Sequence, residues 1–175
     1  MERAAEPRAS LATYDDLLAF YDELLPRVYA YFARRCPTAS VAEDLTQETF
    51  LSAAKEVRQG SRIDAPERWI FALARHRLVD HYRSREREER KLALVREAEV
   101  VTDQAAHALS LSRERAREAL EAVPAAQRLA LTLRYLDAMN VPEVAGAIGR
   151  SVRATESLLA RGRESFRNAY LEVQR

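Results

Sequence analysis

Three groups of residues in this chain have the types and spacing to act on other molecules, and none is a set for making or breaking bonds. Asp44, Gln47, Glu48, Leu51 and Lys55 recur at i, i+3, i+4 and i+7 spacing, which lines them up along one helix. Acidic and amide groups with one leucine among them can pair with cations and bury a single apolar contact; charged helix faces are also commonly just solvated. A second stretch crowds Arg68, Trp69, Phe71, Arg75, His76, Arg77, His81, Tyr82, Arg83, Arg85 and Arg87 together. Guanidinium groups there can serve phosphates, and aromatic planes can stack on unpaired bases. The third group lies near the C-terminus. Arg153, Thr155, Glu156 and Ser157 can reach base edges of duplex DNA if one helix presents them, while Arg150, Arg161 and Arg163 suit phosphates. A nucleophile-base pair, a phosphate-cradling glycine loop and a metal-spaced Cys/His set are all missing from the sequence. No catalysis, cofactor or metal is therefore expected. Cys36, the one cysteine, cannot form an internal disulfide, and His76 and His81 carry no metal-ligand logic.

The third group needs a helix-turn-helix to present it, and the local sequence spells one. Asn140 is placed to cap a first short helix, with Glu143 three residues on and Pro142 near its start. Gly149 supplies the positive φ that ends it, and Ser151 can cap the second helix. Val144, Ala145, Ile148, Val152 and Leu158 are the apolar positions that would lock two crossed helices, with Ala145 small at their approach. The second helix of such a motif enters the major groove. It is expected to continue through Arg161, Arg163, Phe166 and Arg167 to about Tyr170.

The rest of the chain reads as helix as well. Hydrophobic residues make up 47% and charged residues 31% of 175, with only four glycines and six prolines, so an all-α fold is expected. A net charge of +1 means that binding to nucleic acid must come from local basic patches. Residues 1–10 lack an apolar core like that of a signal peptide, and nothing approaches the roughly 20 apolar residues of a membrane span. Together these point to a flexible N-terminus, no membrane insertion and a cytoplasmic protein.

From Thr13, apolar residues recur at helical spacing through Phe32, with Pro26 expected to kink or divide the helix and Cys36-Pro37-Thr38 to end it. Ser40 and Glu43 form a capping box for a second helix running to about Arg58, whose core face is Ala42, Leu45, Thr49, Phe50, Ala53 and Val57. After a loop, Asp64-Ala65-Pro66-Glu67 opens the helix of the basic and aromatic group. The periodicity weakens over residues 91–111, which are expected to be a flexible linker. Ser112 then caps a helix ending before Val123-Pro124, and Ala125 to Leu136 make another with Leu129, Leu133 and Leu136 as its core stripe.

Three segments in this order resemble a known family. They are Ala42-Glu43-Asp44-Leu45-Thr46-Gln47-Glu48-Thr49-Phe50-Leu51, Trp69-Ile70-Phe71-Ala72-Leu73-Ala74-Arg75-His76-Arg77-Leu78-Val79-Asp80-His81-Tyr82-Arg83, and Val123-Pro124-Ala125-Ala126-Gln127-Arg128 ahead of the helix-turn-helix. They resemble bacterial RNA polymerase sigma factors of the sigma-70 family, in particular the small extracytoplasmic-function (ECF) class. The resemblance spans nearly the whole chain and implies two small helical domains: σ2-like over residues 11–90 and σ4-like over 112–175, joined by the linker at 91–111.

It implies docking of Asp44, Leu45, Gln47, Glu48 and Leu51 on the β′ clamp helices of core RNA polymerase. It also implies capture of the unpaired −10 strand of promoter DNA by the loop and helix carrying Arg62, Ile63, Asp64, Trp69, Arg75, His76, Tyr82 and Arg83. The −35 duplex falls to Arg150, Ser151, Arg153, Thr155, Glu156, Ser157, Arg161 and Arg163, while the σ4-like domain also grips the β flap. An anti-sigma factor is a further implied partner. The sequence departs from the family at His76, where many members carry Asn, and at Gly162, where alanine is common and glycine costs about 1 kcal/mol of helix propensity. The alternatives are a sigma-like decoy for an anti-sigma factor and an ordinary helix-turn-helix repressor; the acidic stripe has no reason to exist in the latter.

Overall fold

The computed structural model describes residues 14–60, 62–93 and 111–173, and these are helical with no strand among them. The elements are α1 (Tyr14–Ala33), α2 (Ala39–Arg58), α3 (Pro66–Ala93), α4 (Leu111–Glu121), α5 (Ala125–Leu131), a π-helical turn (Thr132–Leu136), α6 (Val141–Ile148) and α7 (Val152–Glu172). The expected flexible N-terminus at 1–10 and most of the expected linker, residues 94–110, lie outside the described residues. Packing divides the chain inside α3 into one compact unit up to Leu78 and another from Val79 onward. The sequence places its division after residue 90; the packing boundary comes earlier because the later turns of α3 make their bonds with the C-terminal helices.

In the first unit, α1 and α2 pack against each other. Pro26 neither divides α1 nor ends it: one helix runs through the proline. The buried stripe of Leu17, Leu24, Val28 and Phe32 continues across Pro26, so packing on both sides outweighs the single backbone hydrogen bond that proline forfeits. The cap of α2 is Thr38 rather than Ser40. Thr38 is the last extended residue (φ −128°) and its side chain accepts from the Val41 amide, so the helix is already under way at Ser40. Thr46 and Thr49 are buried on α2, where their hydroxyls donate to the carbonyls of Ala42 at 2.6 Å and Leu45 at 2.7 Å. Tyr21 meets Phe50 edge-on at 4.8 Å and Tyr31 meets Phe71 at 5.8 Å, tying α1 to both neighbours. Arg27 pairs with Glu67, whose hydrogen bond holds the guanidinium above its ordinary proton affinity.

In the second unit, α5 and α4 both pack on α7. The helix expected from Ala125 to Leu136 is α-helical only as far as Leu131. There it widens, with the Asp137 amide reaching back five residues to the Thr132 carbonyl. That wider turn keeps Leu133 buried but rotates Leu136 out of the core stripe to 47% exposure. Ala138 follows at φ 54°, held by hydrogen bonds from Met139 to Leu133 and from Arg134 to Met139. Residue 112 sits inside α4 rather than ahead of it, since that helix opens at Leu111.

Candidate nucleic-acid interface

The acidic stripe is built by α2 alone. Ala42, Leu45, Thr49, Ala53 and Val57 turn inward, which leaves Asp44, Gln47, Glu48, Leu51 and Lys55 exposed along the opposite line. Leu51 is 71% exposed, the largest value among the exposed large apolar residues of the described chain. Leu51 thus stands in water on one line with two carboxylates, an amide and Lys55. Leu45 is a correction. At 5% exposure it belongs to the core and offers no docking surface, because it falls on the inward line of the same helix.

The basic and aromatic group straddles the two units, and each part is described separately. In the first unit, Arg62 and Asp64 form an exposed ion pair at 3.3 Å in the loop before α3, next to the half-buried Ile63. Trp69 is half-buried, with its indole N–H donating to Glu56 at 3.2 Å, so its ring both braces α3 against α2 and keeps an open edge. His76 is exposed and Arg75 half-buried. Arg68 lies on the same line as His76, with Ala72 midway, and is exposed too. The sequence places it in the basic group but not among the −10 contacts, to which its i, i+4 spacing could have added it. Arg68 also lines an open cleft of about 600 Å³ with Phe20, Leu24, Asp64, Pro66, Glu67 and Phe71. The cleft joins an apolar floor to a rim carrying both charges.

In the second unit, Tyr82 is a second correction. It is 2% exposed, with the Arg128 guanidinium 5.8 Å from its ring centre, and so presents no face to a base in this arrangement. Arg83 stays at the surface, where it donates to the Ala147 carbonyl at 3.3 Å.

The helix-turn-helix forms as its caps require. Asn140 accepts from the Glu143 amide at 2.9 Å while Glu143 returns a bond to the Asn140 amide at 2.7 Å. Gly149 takes the left-handed conformation at φ 66°, and Ser151 accepts from the Ala154 amide at 3.2 Å. Val144, Ala145, Ile148 and Leu158 are buried between the helices, whereas Val152 is 44% exposed and does not join them. Val152 is the first residue of α7 and points out beside the cap. Ser151, Arg153, Glu156 and Ser157 are exposed at the tip of α7, and Arg161 and Arg163 are exposed farther along. Thr155 is the third correction. It is fully buried, with its hydroxyl turned back to the Ser151 carbonyl at 3.0 Å, so it supports the tip without reaching past it. Arg150 is half-buried and ion-paired with Glu86.

Gly162 is buried between α7 and α5. A Cβ there would stand 3.2 Å from Leu131 Cγ and 3.4 Å from Gln127 Cβ. Close helix approach, rather than a lapse in helix propensity, accounts for the glycine.

Comparison with known proteins bears on what these surfaces meet. A family model described as Sigma-70 region 2 matches residues 20–88, and one described as Sigma-70, region 4 matches residues 113–166. The ECF RNA polymerase sigma factor BldN of Streptomyces coelicolor is 30% identical over 158 residues, which is 86% of this chain and 59% of BldN. This chain thus spans less than two thirds of that relative. The ECF RNA polymerase sigma factor EcfG of Rhodopseudomonas palustris is 30% identical over 155 residues, covering 87% of this chain and 81% of EcfG. In fold, the chain is similar to the sigma factor RpoE of Bartonella quintana, solved in complex with the anti-sigma factor NepR. The TM-score is 0.54 at 24% identity, over 92% of this chain and 99% of that one. No helix among the described residues is long and apolar enough to cross a membrane.

Proposed function

Since the chain belongs to the ECF class of the sigma-70 family of bacterial RNA polymerase sigma factors, we propose that it is a promoter-specificity subunit with no bond-making chemistry of its own. A σ2-like region over residues 11–90 docks on the β′ clamp helices of core polymerase through Asp44, Gln47, Glu48 and Leu51. A σ4-like region over 112–175 reads the −35 duplex and grips the β flap, and residues 91–111 join the two. Each region by itself is a weak reader. Mounted on one polymerase they become a bivalent reader, because the second contact is then made at high effective concentration.

The observation that carries this reading is the exposed acidic stripe with Leu51 at its centre, on the same chain as a fully capped helix-turn-helix. A repressor that works through operator affinity needs the second feature and has no use for the first. At the −35 element, Arg153, Glu156 and Ser157 face base edges from the tip of α7, while Arg150, Arg161 and Arg163 serve phosphates. At the −10 element, a base that leaves the stack costs a few kcal/mol to unpair, which pocket contacts must offset. The cleft beside the Arg62–Asp64 loop, with Arg68 on its rim and Phe71 in its wall, is suited to receive one. Arg75, His76 and the open edge of Trp69 complete that surface. The Bartonella relative was solved with an anti-sigma factor, and a regulator of that kind is proposed here as well.

Run-off transcription with purified core polymerase tests the proposal. Addition of this protein should produce a discrete transcript from promoters enriched after its overexpression. A decoy would instead bind an anti-sigma factor and yield no transcript. A repressor would bind its operator without core polymerase.

A further inference from the structure

The second unit contains a set of contacts that reading DNA does not require. Three residues on the later turns of α3 hold the helix-turn-helix and the helix before it. Arg83 donates to the Ala147 carbonyl at 3.3 Å, in the last turn of α6, where a cation also suits the helix dipole. The same guanidinium would stand 3.0 Å from a Cβ at Gly149, so the turn glycine leaves room for it. Glu89 accepts the Ala125 amide on both carboxylate oxygens, at 3.2 and 3.0 Å. It thereby caps α5, whose own cap residue, Pro124, makes no side-chain cap bond. Between these two, Glu86 accepts Arg150 and also Arg90, the latter at 2.5 Å. The Glu86 and Arg150 side chains are 18% and 28% exposed, which shields their pair from bulk water.

We propose that Arg83, Glu86 and Glu89 form an autoinhibitory clasp in which Glu86 occupies the Arg150 guanidinium that a DNA phosphate would otherwise take. The inference rests on the reading of Arg150 as a phosphate contact. A phosphate approaching Arg150 meets the Glu86 carboxylate beside it, so the pair both consumes the cation and repels the ligand. The clasp can open without stranding a charge, since Glu86 keeps Arg90 when Arg150 leaves. Free protein therefore binds duplex weakly, and duplex binding and the clasp exclude one another.

The test uses the full chain and a fluorescein-labelled duplex of mixed sequence, about two helical turns long, titrated by anisotropy at several salt concentrations. Glu86→Gln should tighten binding about threefold to fivefold, the equivalent of a partly shielded ion pair. It should also steepen the salt slope by about 0.9, for one more phosphate neutralised. Glu86→Asp keeps the net charge but shortens the reach by one methylene; it should shift affinity in the same direction, which a mere change in protein charge would not. Arg150→Ala added to either variant should cancel the gain. Wild-type affinity in both Glu86 variants overturns the clasp, as does a gain that survives Arg150→Ala. The same proteins assayed with core polymerase separate this from the functional reading. If that reading is wrong, no variant supports transcription although the duplex gain remains. If only the clasp is wrong, transcription proceeds and the affinity gain is absent.

Discussion

Residues divide on this molecule by which line of a helix they occupy, and a one-residue step changes the role. Leu45 and Asp44 are neighbours, yet the first is core and the second a solvent-facing carboxylate. Thr155 and Glu156 differ in the same way at the tip of α7. The docking claim is tested at Glu48. Glu48→Arg should weaken core polymerase binding about tenfold or more, because a repulsive charge replaces an attractive one at the interface. Its melting temperature should stay at the wild-type value, since Glu48 is exposed on the solvent side of α2. Unchanged affinity for core polymerase would remove the stripe from the interface. For Arg161, exposed along α7, replacement by alanine should flatten the salt dependence of −35 duplex binding by about 0.9 in log-log slope, as expected for one lost phosphate contact. A slope equal to wild type would place that side chain away from the backbone of the DNA.

At the scale of elements, caps and close approaches decide where helices begin, stop and touch. The Asn140–Glu143 box and Gly149 were legible from the chain because their chemistry is local: each acts within one turn of its own helix. The start of α2 was misplaced for a related reason. Two cap-competent residues, Thr38 and Ser40, stand close together, and the backbone turn after Cys36 selects the earlier. The π-helical turn had no local signal. It follows from how Leu133 and its neighbours seat in the second unit, and it places Tyr135 and Leu136 outside.

Gly162 is the sharpest case, because propensity and packing give opposite answers. Gly162→Ala should gain about 1 kcal/mol from helix propensity. It should lose more from forcing Cβ against Leu131 Cγ and Gln127 Cβ, where overpacking costs about 1–3 kcal/mol. Both of those atoms sit close to the α5 backbone, so relief requires moving the helix. A urea titration should report a net loss of about 1 kcal/mol. A gain in stability would show that α5 yields freely.

For the whole molecule, the central expectation is that two weak readers act as a ruler only when polymerase holds both. Inserting about 5 base pairs, half a helical turn, between the −35 and −10 elements should abolish transcription by the holoenzyme, since the second element rotates to the far side of the duplex. Binding of the isolated protein to the −35 duplex should not change. Transcription that tolerates the insertion would refute the bivalent mechanism. The sequence by itself determined the all-α class, the order of the three functional segments, the helix-turn-helix with its caps, and the exposed Asp44–Leu51 line. Each of these depends on spacing within one helix or on chemistry within one turn. Only the tertiary structure decided that Tyr82 and Thr155 are buried, that Gly162 lies close against α5, and that Arg150 is held by Glu86. Those depend on which residues from distant parts of the chain arrive at the same place. Periodicity marks the inward face of a helix, but the neighbour that covers it is set by the fold.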